Sequence, residues 1–311
     1  MKKFLIFLIA FAFYVLFNLL KTSDRKDHSL FFISENSLYE TMRKDGSFGK
    51  SIAFFTIDHI CSIKKKIKTG EYAIRYGDSV FLILSNMLKG NSIARKITIP
   101  EGYTVKMILE LLNKNPFLTD EIKEIPEEAS LMPNTYFYKF RDSRNSIIKM
   151  MKNEMKKVKE EIKLTNKTNL TIEQVIILAS IIEKETGLDS ERKLVSSVFH
   201  NRLAKKMRLQ SDPTVIYAIS DGYGKLGRKL TRKDWFFESP YNTYRKKGLP
   251  PAPICCPGRL SIEASLNPAK TDFLYFVVCE SGKHHRFSTD YDAHRKNVSI
   301  KEKTLDILTK N

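Results

Sequence analysis

The feature that most constrains the fold is a helix signal in the second half of the chain whose side chains are apolar nearly all round. The segment "IEQVIILASIIEKETG" runs from Ile172 to Gly187, and a helix that is hydrophobic on every face is buried within its domain. Thr171 and Gln174 form a capping box that predicts a start at about Ile172, and Gly187 is the expected stop. We therefore expect this helix to be central to its domain.

Two carboxylates end this apolar helix. Drawn at about 100° per residue, Glu183 shares a stripe with Ile176 and Ala179, and Glu185 lies about 160° further round. In one interpretation the helix simply reaches water here, because glutamate is almost never fully buried unless it is paired. In the other, one carboxyl lies in a cleft where burial raises its pKa above about 4.3, so that it serves as a general acid. We favour Glu183 for that role, because a groove can open beside the small Ala179.

The N-terminus carries a second apolar segment. Residues Phe4 to Leu20 of "MKKFLIFLIAFAFYVLFNLLK" contain one polar side chain, Asn18, and lysines flank them. The length is at the lower limit for a helix that spans a bilayer, and the following "NLLKTSDRKDHS" lacks the small-residue exit site of a cleaved signal peptide. The sequence therefore predicts an uncleaved transmembrane anchor within residues 1–27. The flanking charges do not fix its orientation.

The charge balance indicates polyanionic partners. The 311 residues include 53 Lys and Arg against 35 Asp and Glu, a formal net charge of +18. Such a surface attracts nucleic acid, anionic lipid or an acidic polymer of the cell envelope, and composition does not choose among them. Because RNP, helix-turn-helix and zinc-finger patterns are lacking, we predict that nucleic acid is not a partner.

Neither the cysteines nor the histidines predict a metal centre or a disulfide framework. The cysteines number four and are irregularly spaced: Cys61, Cys255, Cys256 and Cys279. That pattern is unlike a disulfide scaffold, and it leaves open whether any pair is bridged. His284 and His285 lie near Cys279 without a convincing third ligand. We predict no metal and no cofactor, and we assign no role to these histidines or to His200.

Residues 28–115 contain a weak repeat of strand, turn and helix. In "YAIRYGDSVFLILSNMLKG" and "ITIPEGYTVKMILELLNKN" a β-prone stretch leads to a glycine, Gly77 or Gly102, and then to a hydroxyl cap and an amphipathic helix. The caps are Ser79 and Thr104, and "FFISENSLYETM" is a fainter first copy. Chance recurrence of common turn chemistry is the alternative. The pattern favours a small α+β module.

The remaining segments predict helices followed by a hairpin. "IIKMMKNEMKKVKEEIKL" alternates charges at helical spacing, which is typical of a solvated helix. "SERKLVSSVFHNRLAKKM" predicts another helix, and "SDPTVIYAI" a third, with Asp212 as its N-cap and Pro213 as its first residue. "SPYNTYRKKGLPPAPICCPG" predicts an ordered loop, and "FLYFVVC" with "HRFST" predicts a β-hairpin. The predicted fold class is therefore α+β, with a mixed helical domain that ends in this hairpin.

Several of these segments together resemble a known family. They include "LASIIEKETG", "ERKLVSSVFHNRLAKKMRLQSDPTVIYAI", "SPYNTY", "GLPPAPICCPG", "ASLNPAKTDFLYFV" and "HRFSTDYDAH". These are similar to the signature of the endolytic murein transglycosylases, the YceG-like family of bacterial inner-membrane enzymes. The resemblance implies a cytoplasmic tip and single-pass inner-membrane anchor in residues 1–27, a LysM-like subdomain in 28–117 and a periplasmic catalytic domain in 118–311.

The resemblance also implies the chemistry. The family's catalytic glutamate, the first of its E-K-E-T motif, corresponds to Glu183. The implied enzyme is a lyase that cuts between N-acetylmuramic acid and N-acetylglucosamine in nascent peptidoglycan, leaves 1,6-anhydromuramyl ends and works with peptidoglycan synthases. One carboxyl that acts first as an acid and then as a base suffices for this, unlike the two-carboxylate pattern of glycoside hydrolases.

Three polar residues correspond to motif positions of the family near that acid. Gln210, Asp212 and Asn242 are candidates for holding sugar groups or for orienting Glu183. Asp212 is explained equally well by N-capping, and Asn242 by satisfying the amides of its own loop. Both interpretations stay open for each residue.

Aromatic and cationic side chains complete the candidate site. Tyr217, Tyr241 and Tyr244 could stack on sugar faces, although tyrosines at such positions are more often part of the core. Arg202 could pair with one of the two glutamates that end the apolar helix. We therefore take Tyr217 and Tyr244, with the three polar residues above, as the candidate substrate-binding set.

One segment departs from the family pattern. Where the family has E-G-x-x-x-P-D-T-Y, this chain has "EEASLMPNTYFY", in which Asn134 replaces the aspartate and the glycine is absent. The resemblance therefore does not extend to a preferred substrate length. The main alternative to the enzyme is a non-catalytic envelope protein that binds glycan, and the intact motif around Glu183 favours the enzyme.

Overall fold

The computed structural model describes residue 17 and residues 29–33, 66–75, 78–279, 282 and 284–310. Within these residues the chain forms eight α-helices, one short 3-10 helix and six β-strands, which pair into three two-stranded sheets. The α+β class that the sequence predicts is confirmed for this part of the chain.

The chain divides into two compact units. One takes in the described residues up to Ile97 together with Phe137–Asp142, and the other comprises Thr98–Tyr136 and Ser143–Asn311. The predicted LysM-like subdomain (28–117) and catalytic domain (118–311) have other boundaries than these two units, so both domain assignments stay predictions. Every candidate site residue belongs to the second unit.

Two successions of strand and helix follow the predicted repeat. The elements are β1 (Ser29–Ile33), β2 (Gly70–Ile74), α1 (Val80–Lys89), β3 (Arg95–Thr98), α2 (Val105–Asn113) and β4 (Thr135–Tyr138). β1 pairs with β2 antiparallel, and β3 pairs with β4. Ser79 caps α1 and Thr104 caps α2, each hydroxyl accepting a backbone N–H of the first turn. Both predicted caps are confirmed, Gly77 lies outside the described residues, and the LysM-like assignment stays a prediction.

The long helix α3 (Arg144–Thr165) is amphipathic, which corrects the prediction of a solvated helix. Its alternating charges lie outward, but a row of apolar side chains recurs at helical spacing and is buried: Ile147, Ile148, Met151, Met155, Val158 and Ile162. A helix with one continuous apolar stripe packs that stripe against a core. α3 is therefore part of the packed interior of the second unit.

The apolar helix α4 (Ile172–Glu185) is central, as the sequence predicts. Its capping box forms, with the Thr171 side chain and the Gln174 side chain each accepting the other residue's backbone N–H. The helix has buried side chains in two hydrophobic clusters, one around Val175 and Ala179 and the other around Ile181. Its end differs from the prediction, because Thr186 is the C-cap in an extended conformation. A glycine in the left-handed region is therefore not needed to stop it.

Helices and a hairpin surround α4. They are α5 (Asp189–Ala204), α6 (Asp212–Ile219), α7 (Arg259–Leu266), β5 (Tyr275–Val278), β6 (His285–Ser288) and α8 (Tyr291–Lys310), with a 3-10 turn at Asp234–Phe236. β5 and β6 pair antiparallel, so the predicted hairpin is confirmed. In α6 the N-cap is Ser211 and Asp212 is already helical. The predicted N-cap role of Asp212 is therefore wrong by one residue.

The segment that departs from the family pattern keeps its turn without a glycine. Ala129 stands at the glycine position and has a φ of 56°. This is the left-handed region, which costs a side-chain-bearing residue about 1–2 kcal/mol. Ala129 is also buried, at 2% exposure, so its methyl group contributes to the core in partial compensation.

The predicted membrane anchor, Phe4 to Leu20, lies outside the described residues except for Phe17. Among the helices that are described, none is long and apolar enough to cross a membrane. The anchor stays a prediction.

The packing of α3 is tested by two neighbouring methionines. Met151 is fully buried, whereas Met150 is 36% exposed. We expect Met151→Ala to lower the free energy of unfolding by about 2–5 kcal/mol, because it leaves a cavity in the core. Met150→Ala should change it by less than about 0.5 kcal/mol. Urea denaturation of both variants measures this, and equal effects would contradict the burial of this face of α3.

Candidate active site

Glu183 lies in the last turn of α4, and its carboxyl is held from two sides. Its side chain is 7% exposed. The backbone N–H of Gly258, the N-cap of α7, donates to Glu183 Oε2 at 3.0 Å. Arg192 of α5 places Nη2 3.5 Å from Glu183 Oε1. The carboxyl is therefore nearly enclosed, but it has both a hydrogen-bond donor and a cation beside it.

Arg192 is the buried cation of this site. The residue is 6% exposed, and its guanidinium is fixed along three edges. Nη1 contacts Asp189 Oδ1 at 2.5 Å, and Nε donates to Ser261 Oγ at 3.1 Å. Nη2 lies toward Glu183 and also lies 4.0 Å from Glu101 Oε2. A planar guanidinium with several fixed partners is well suited to orient a carboxylate.

The turn that carries Glu101 is bound to the loop before α7. Gly102 N–H donates to the Cys256 carbonyl at 3.0 Å, and Cys256 N–H donates to the Tyr103 carbonyl at 2.8 Å. Lys184 Nζ, beside Glu183 in sequence, donates to the Gly102 carbonyl at 3.3 Å. Gly102 has a φ of 73°, a conformation that favours glycine. Backbone pairing therefore holds the Glu101 turn against the end of α4.

The Glu101 carboxyl occupies the space that a side chain at position 258 would need. A Cβ on Gly258 would lie 1.9 Å from Glu101 Oε1. Burial raises the pKa of Glu101, the Glu183 charge raises it further, and Arg192 opposes both effects. The site therefore brings together two glutamates that are far apart in sequence.

Glu185, the other terminal glutamate of α4, lies in a separate environment. Ser211 Oγ donates to its Oε1 at 2.5 Å. Burial raises the pKa of Glu185 to about 7, with the Asp212 charge adding to this and the Ser211 hydroxyl and Arg202 opposing it. The burial-raised pKa that the sequence predicts for one carboxyl at this helix end is thus found at Glu185.

Arg202 binds backbone carbonyls near Glu185. Its Nε donates to the Leu274 carbonyl at 2.7 Å and its Nη1 to the Leu209 carbonyl at 2.8 Å. Nη1 also contacts Gln210 Oε1 at 3.3 Å. The partner of Glu183 is therefore Arg192, which sequence reasoning missed, and Gln210 is placed beside Arg202.

Asp212 anchors an aromatic pair. Its Oδ1 accepts from the Tyr244 hydroxyl at 2.7 Å and from the Trp235 indole N–H at 3.1 Å. The two rings stack with centroids 5.0 Å apart. An exposed carboxylate with a stacked tyrosine and tryptophan is a surface on which a sugar ring can lie. The structure thus brings Asp212 and Tyr244 together, and their role in binding substrate stays a prediction.

Asn242 organises its own loop. The residue is fully buried, and its Nδ2 donates to the carbonyls of Trp235 and Phe237 at 3.0 and 2.8 Å. Its Oδ1 accepts the Tyr244 N–H at 2.9 Å. Of the two interpretations left open, these contacts match the one in which Asn242 satisfies loop backbone groups.

Tyr217 lines a cavity of about 470 Å³ together with Tyr241 and Glu128. The two rings lie 5.1 Å apart. Glu128 accepts from the Tyr217 hydroxyl at 3.2 Å and from the Val105 N–H at 2.9 Å, and burial raises the pKa of Glu128. Sequence reasoning missed Glu128, although it is the second residue of the "EEASLMPNTYFY" segment that departs from the family pattern.

The remaining candidates have structural partners. Glu191 accepts from His285, through both its N–H at 2.9 Å and Nδ1 at 2.7 Å, and His284 Nδ1 lies 3.4 Å from it. His200 Nε2 contacts the Ser265 carbonyl at 2.9 Å. No group of three or more potential metal ligands occurs within the described residues.

The vicinal cysteines are buried and reduced. Cys255 and Cys256 are free thiols with no exposed surface. Cys255 Sγ contacts the Ser180 carbonyl of α4 at 3.3 Å. Burial raises the pKa of both thiols.

Comparison with known proteins finds relatives of this chain. The profile described as the YceG-like family matches residues 34–300. The chain is 33% identical over 249 residues to the endolytic murein transglycosylase of Bacillus subtilis (strain 168), covering 70% of this chain and 68% of that protein. It is 28% identical over 281 residues to the endolytic murein transglycosylase of Streptococcus pneumoniae serotype 2, covering 75% of this chain and 50% of that protein.

A solved structure is also similar. The crystal structure of a yceG-like protein from Listeria monocytogenes superposes with a TM-score of 0.56 at 29% sequence identity, covering 88% of this chain and 99% of that one. Together with the family match over residues 34–300, this leads to one conclusion: the chain belongs to the YceG-like family.

Proposed function

We propose that this protein is an endolytic murein transglycosylase, a lyase that cleaves the bond between N-acetylmuramic acid and N-acetylglucosamine inside nascent peptidoglycan strands. Membership of the family and the names of the Bacillus and Streptococcus relatives support this proposal. The chain spans about two thirds of the Bacillus relative and half of the Streptococcus one. The single observation that carries the proposal is the enclosed Glu183 carboxyl, contacted by Gly258 N–H and Arg192.

Glu183 would act twice in the reaction. Its protonated form donates to the glycosidic oxygen as that oxygen leaves C1 of the muramyl residue, and positive charge builds on the sugar ring. The C6 hydroxyl of the same sugar then bonds to C1 and loses its proton to the Glu183 carboxylate. The products are a free hydroxyl on the leaving sugar and a 1,6-anhydromuramyl end. No water is consumed and Glu183 regains its proton, so one carboxyl completes the cycle.

The two groups that contact Glu183 favour the state formed after the first transfer. A backbone N–H and a guanidinium both stabilise a carboxylate over a neutral carboxyl. Gly258 N–H and Arg192 therefore lower the free energy of the stage at which the proton has moved to the sugar oxygen. Their help counts most in a site that is largely closed to water.

Two groups of aromatic side chains would hold the substrate. We assign Tyr217, at the 470 Å³ cavity, and Tyr244, which stacks on Trp235 above Asp212, to contacts with sugar rings. Asp212 would accept hydrogen bonds from sugar hydroxyl or acetamido groups. Gln210 and Asn242 would act mainly by shaping this surface, since their side chains contact Arg202 and loop carbonyls.

The cellular setting is part of the proposal. An anchor within residues 1–27 would hold the protein at the inner membrane as a single-pass protein, with residues 28–311 in the periplasm near the synthases that make its substrate. The net charge of +18 suits an anionic membrane surface and an acidic wall polymer. The alternative is a glycan-binding envelope protein without catalysis.

The reaction is tested by Glu183→Gln. Gln keeps the size and a hydrogen-bonding oxygen but cannot give and take the proton, so we expect formation of anhydro-ended fragments to fall by about 10²–10⁴-fold. The measurement is mass spectrometry of uncrosslinked glycan strands after incubation with purified protein. If the wild-type protein binds the strands and leaves them intact, that result would instead support the glycan-binding alternative.

Glu185→Gln is the matched control on the same helix. Glu185 lies away from the Glu183 site and contacts Ser211, so we expect this variant to keep forming anhydro ends. If Glu185→Gln is inactive and Glu183→Gln is active, the assignment of the catalytic residue is wrong and the reaction type survives.

Glu185 should also give the stability a pH dependence. Its folded-state pKa of about 7 lies above the ordinary glutamate value of 4.5, so the unfolded chain releases this proton first as pH rises. The associated stability is fully present below about pH 4.5 and is lost by about pH 7. Between pH 5 and pH 8 we expect the free energy of unfolding of wild type to fall by about 2–3 kcal/mol more than that of Glu185→Gln. Urea denaturation at several pH values measures this, and parallel curves would contradict it.

A further inference from the structure

A second carboxyl shares the guanidinium that contacts Glu183. Arg192 Nη2 lies 3.5 Å from Glu183 Oε1 and 4.0 Å from Glu101 Oε2. The opposite edge of the guanidinium is occupied, because Nη1 lies 2.5 Å from Asp189 Oδ1. Glu183 and Glu101 therefore compete for one nitrogen of a cation that is 6% exposed and cannot turn freely.

The two competitors differ in burial. The Glu183 side chain is 7% exposed, whereas the Glu101 side chain is 44% exposed. Glu101 can therefore approach or leave Arg192 at little cost in solvation, while Glu183 stays in place. The fold leaves room for Glu101 at the position where it is found, because residue 258 is a glycine and a Cβ there would lie 1.9 Å from Glu101 Oε1.

The charges of the pair act on each other. Two carboxylates near one cation cannot both be fully compensated, and each negative charge favours the protonated form of the other. For Glu101 the direction is explicit, since burial raises its pKa and the Glu183 charge raises it further.

We propose that Glu101 is a positioning residue for Glu183: its carboxylate shares Arg192 Nη2 with Glu183 and so limits how fully the guanidinium pairs with the carboxyl that donates to the glycosidic oxygen. This inference rests on the proposed function. When Glu183 gives up its proton, Arg192 Nη2 is drawn to the new carboxylate, and the half-exposed Glu101 is left to solvent. Glu101 does not touch the substrate in this scheme and exchanges no proton with it.

The experiment is the pH profile of Glu101→Gln, followed as kcat/KM for release of anhydro-ended fragments from uncrosslinked glycan strands. We expect the alkaline limb of the profile to move to lower pH, because in the variant Arg192 Nη2 pairs with Glu183 alone. The rate near neutral pH should fall about 3–10-fold and recover as the pH is lowered.

Three further variants separate the charge effect from other causes. Glu101→Asp keeps the charge and should keep the limb near its wild-type position. Glu160→Gln removes a carboxylate that pairs with Lys163 on the surface of α3 and should leave the profile unchanged. Gly258→Ala keeps the N–H that donates to Glu183 but pushes the Glu101 carboxyl aside. Gly258→Ala should shift the alkaline limb in the same direction as Glu101→Gln. In a protein that already carries Glu101→Ala, it should add no further shift.

The outcomes divide cleanly. A Glu101→Gln profile that overlies wild type, or one that is lowered equally at every pH, overturns the inference, since the second is what a merely structural role would give. If that occurs while Glu183→Gln is inactive, the proposed function stands without the inference. If Glu183→Gln remains active, the assignment of Glu183 as the catalytic residue is wrong and the inference fails with it.

Discussion

The candidate active site depends on the hydrogen-bond and ion-pair partners of one buried guanidinium, that of Arg192. Removing a cation from water is costly unless carboxylates and other acceptors surround it. Arg192 meets that requirement with partners from four parts of the chain: Asp189 one turn before it, Ser261 of α7, Glu183 at the end of α4 and Glu101 in the turn after β3. The ion cluster therefore fixes where these elements meet.

The same helix presents two glutamates to different surroundings. Glu183 faces a guanidinium and a backbone N–H, both of which suit a carboxylate that must form and disappear during a reaction. Glu185 has a hydroxyl donor and a burial-raised pKa, which suits a carboxyl that stays neutral. The difference follows from their angular separation on α4, since residues two positions apart on a helix face nearly opposite directions. A short acidic sequence thus gives two chemically distinct groups.

Structural features that depend on neighbouring residues could be predicted from the sequence, and contacts between residues distant in sequence could not. The capping box at Thr171 and the hydroxyl caps at Ser79 and Thr104 depend on residues within one turn, and the structure has them all. The burial of one face of α3 was not predicted, because its alternating charges are typical of a solvated helix and outnumber the apolar residues between them. Arg192 and Glu101 were missed because their pairing joins residues distant in sequence, and charge counting cannot tell which cation approaches which carboxylate. The choice of Glu183 came from its place beside the small Ala179 on the helix and from the family resemblance, whereas the geometry around it could be read only from the structure.

The neighbouring thiols of Cys255 and Cys256 have a consequence for the redox behaviour of the protein. A thiol attacks disulfides and electrophiles as the thiolate, and burial keeps both of these groups neutral. Folding therefore shields them from oxidants and alkylating agents, so that an oxidising environment would leave them unmodified while the core stays closed. Labelling at this pair would accordingly report opening of the protein interior rather than chemistry at its surface.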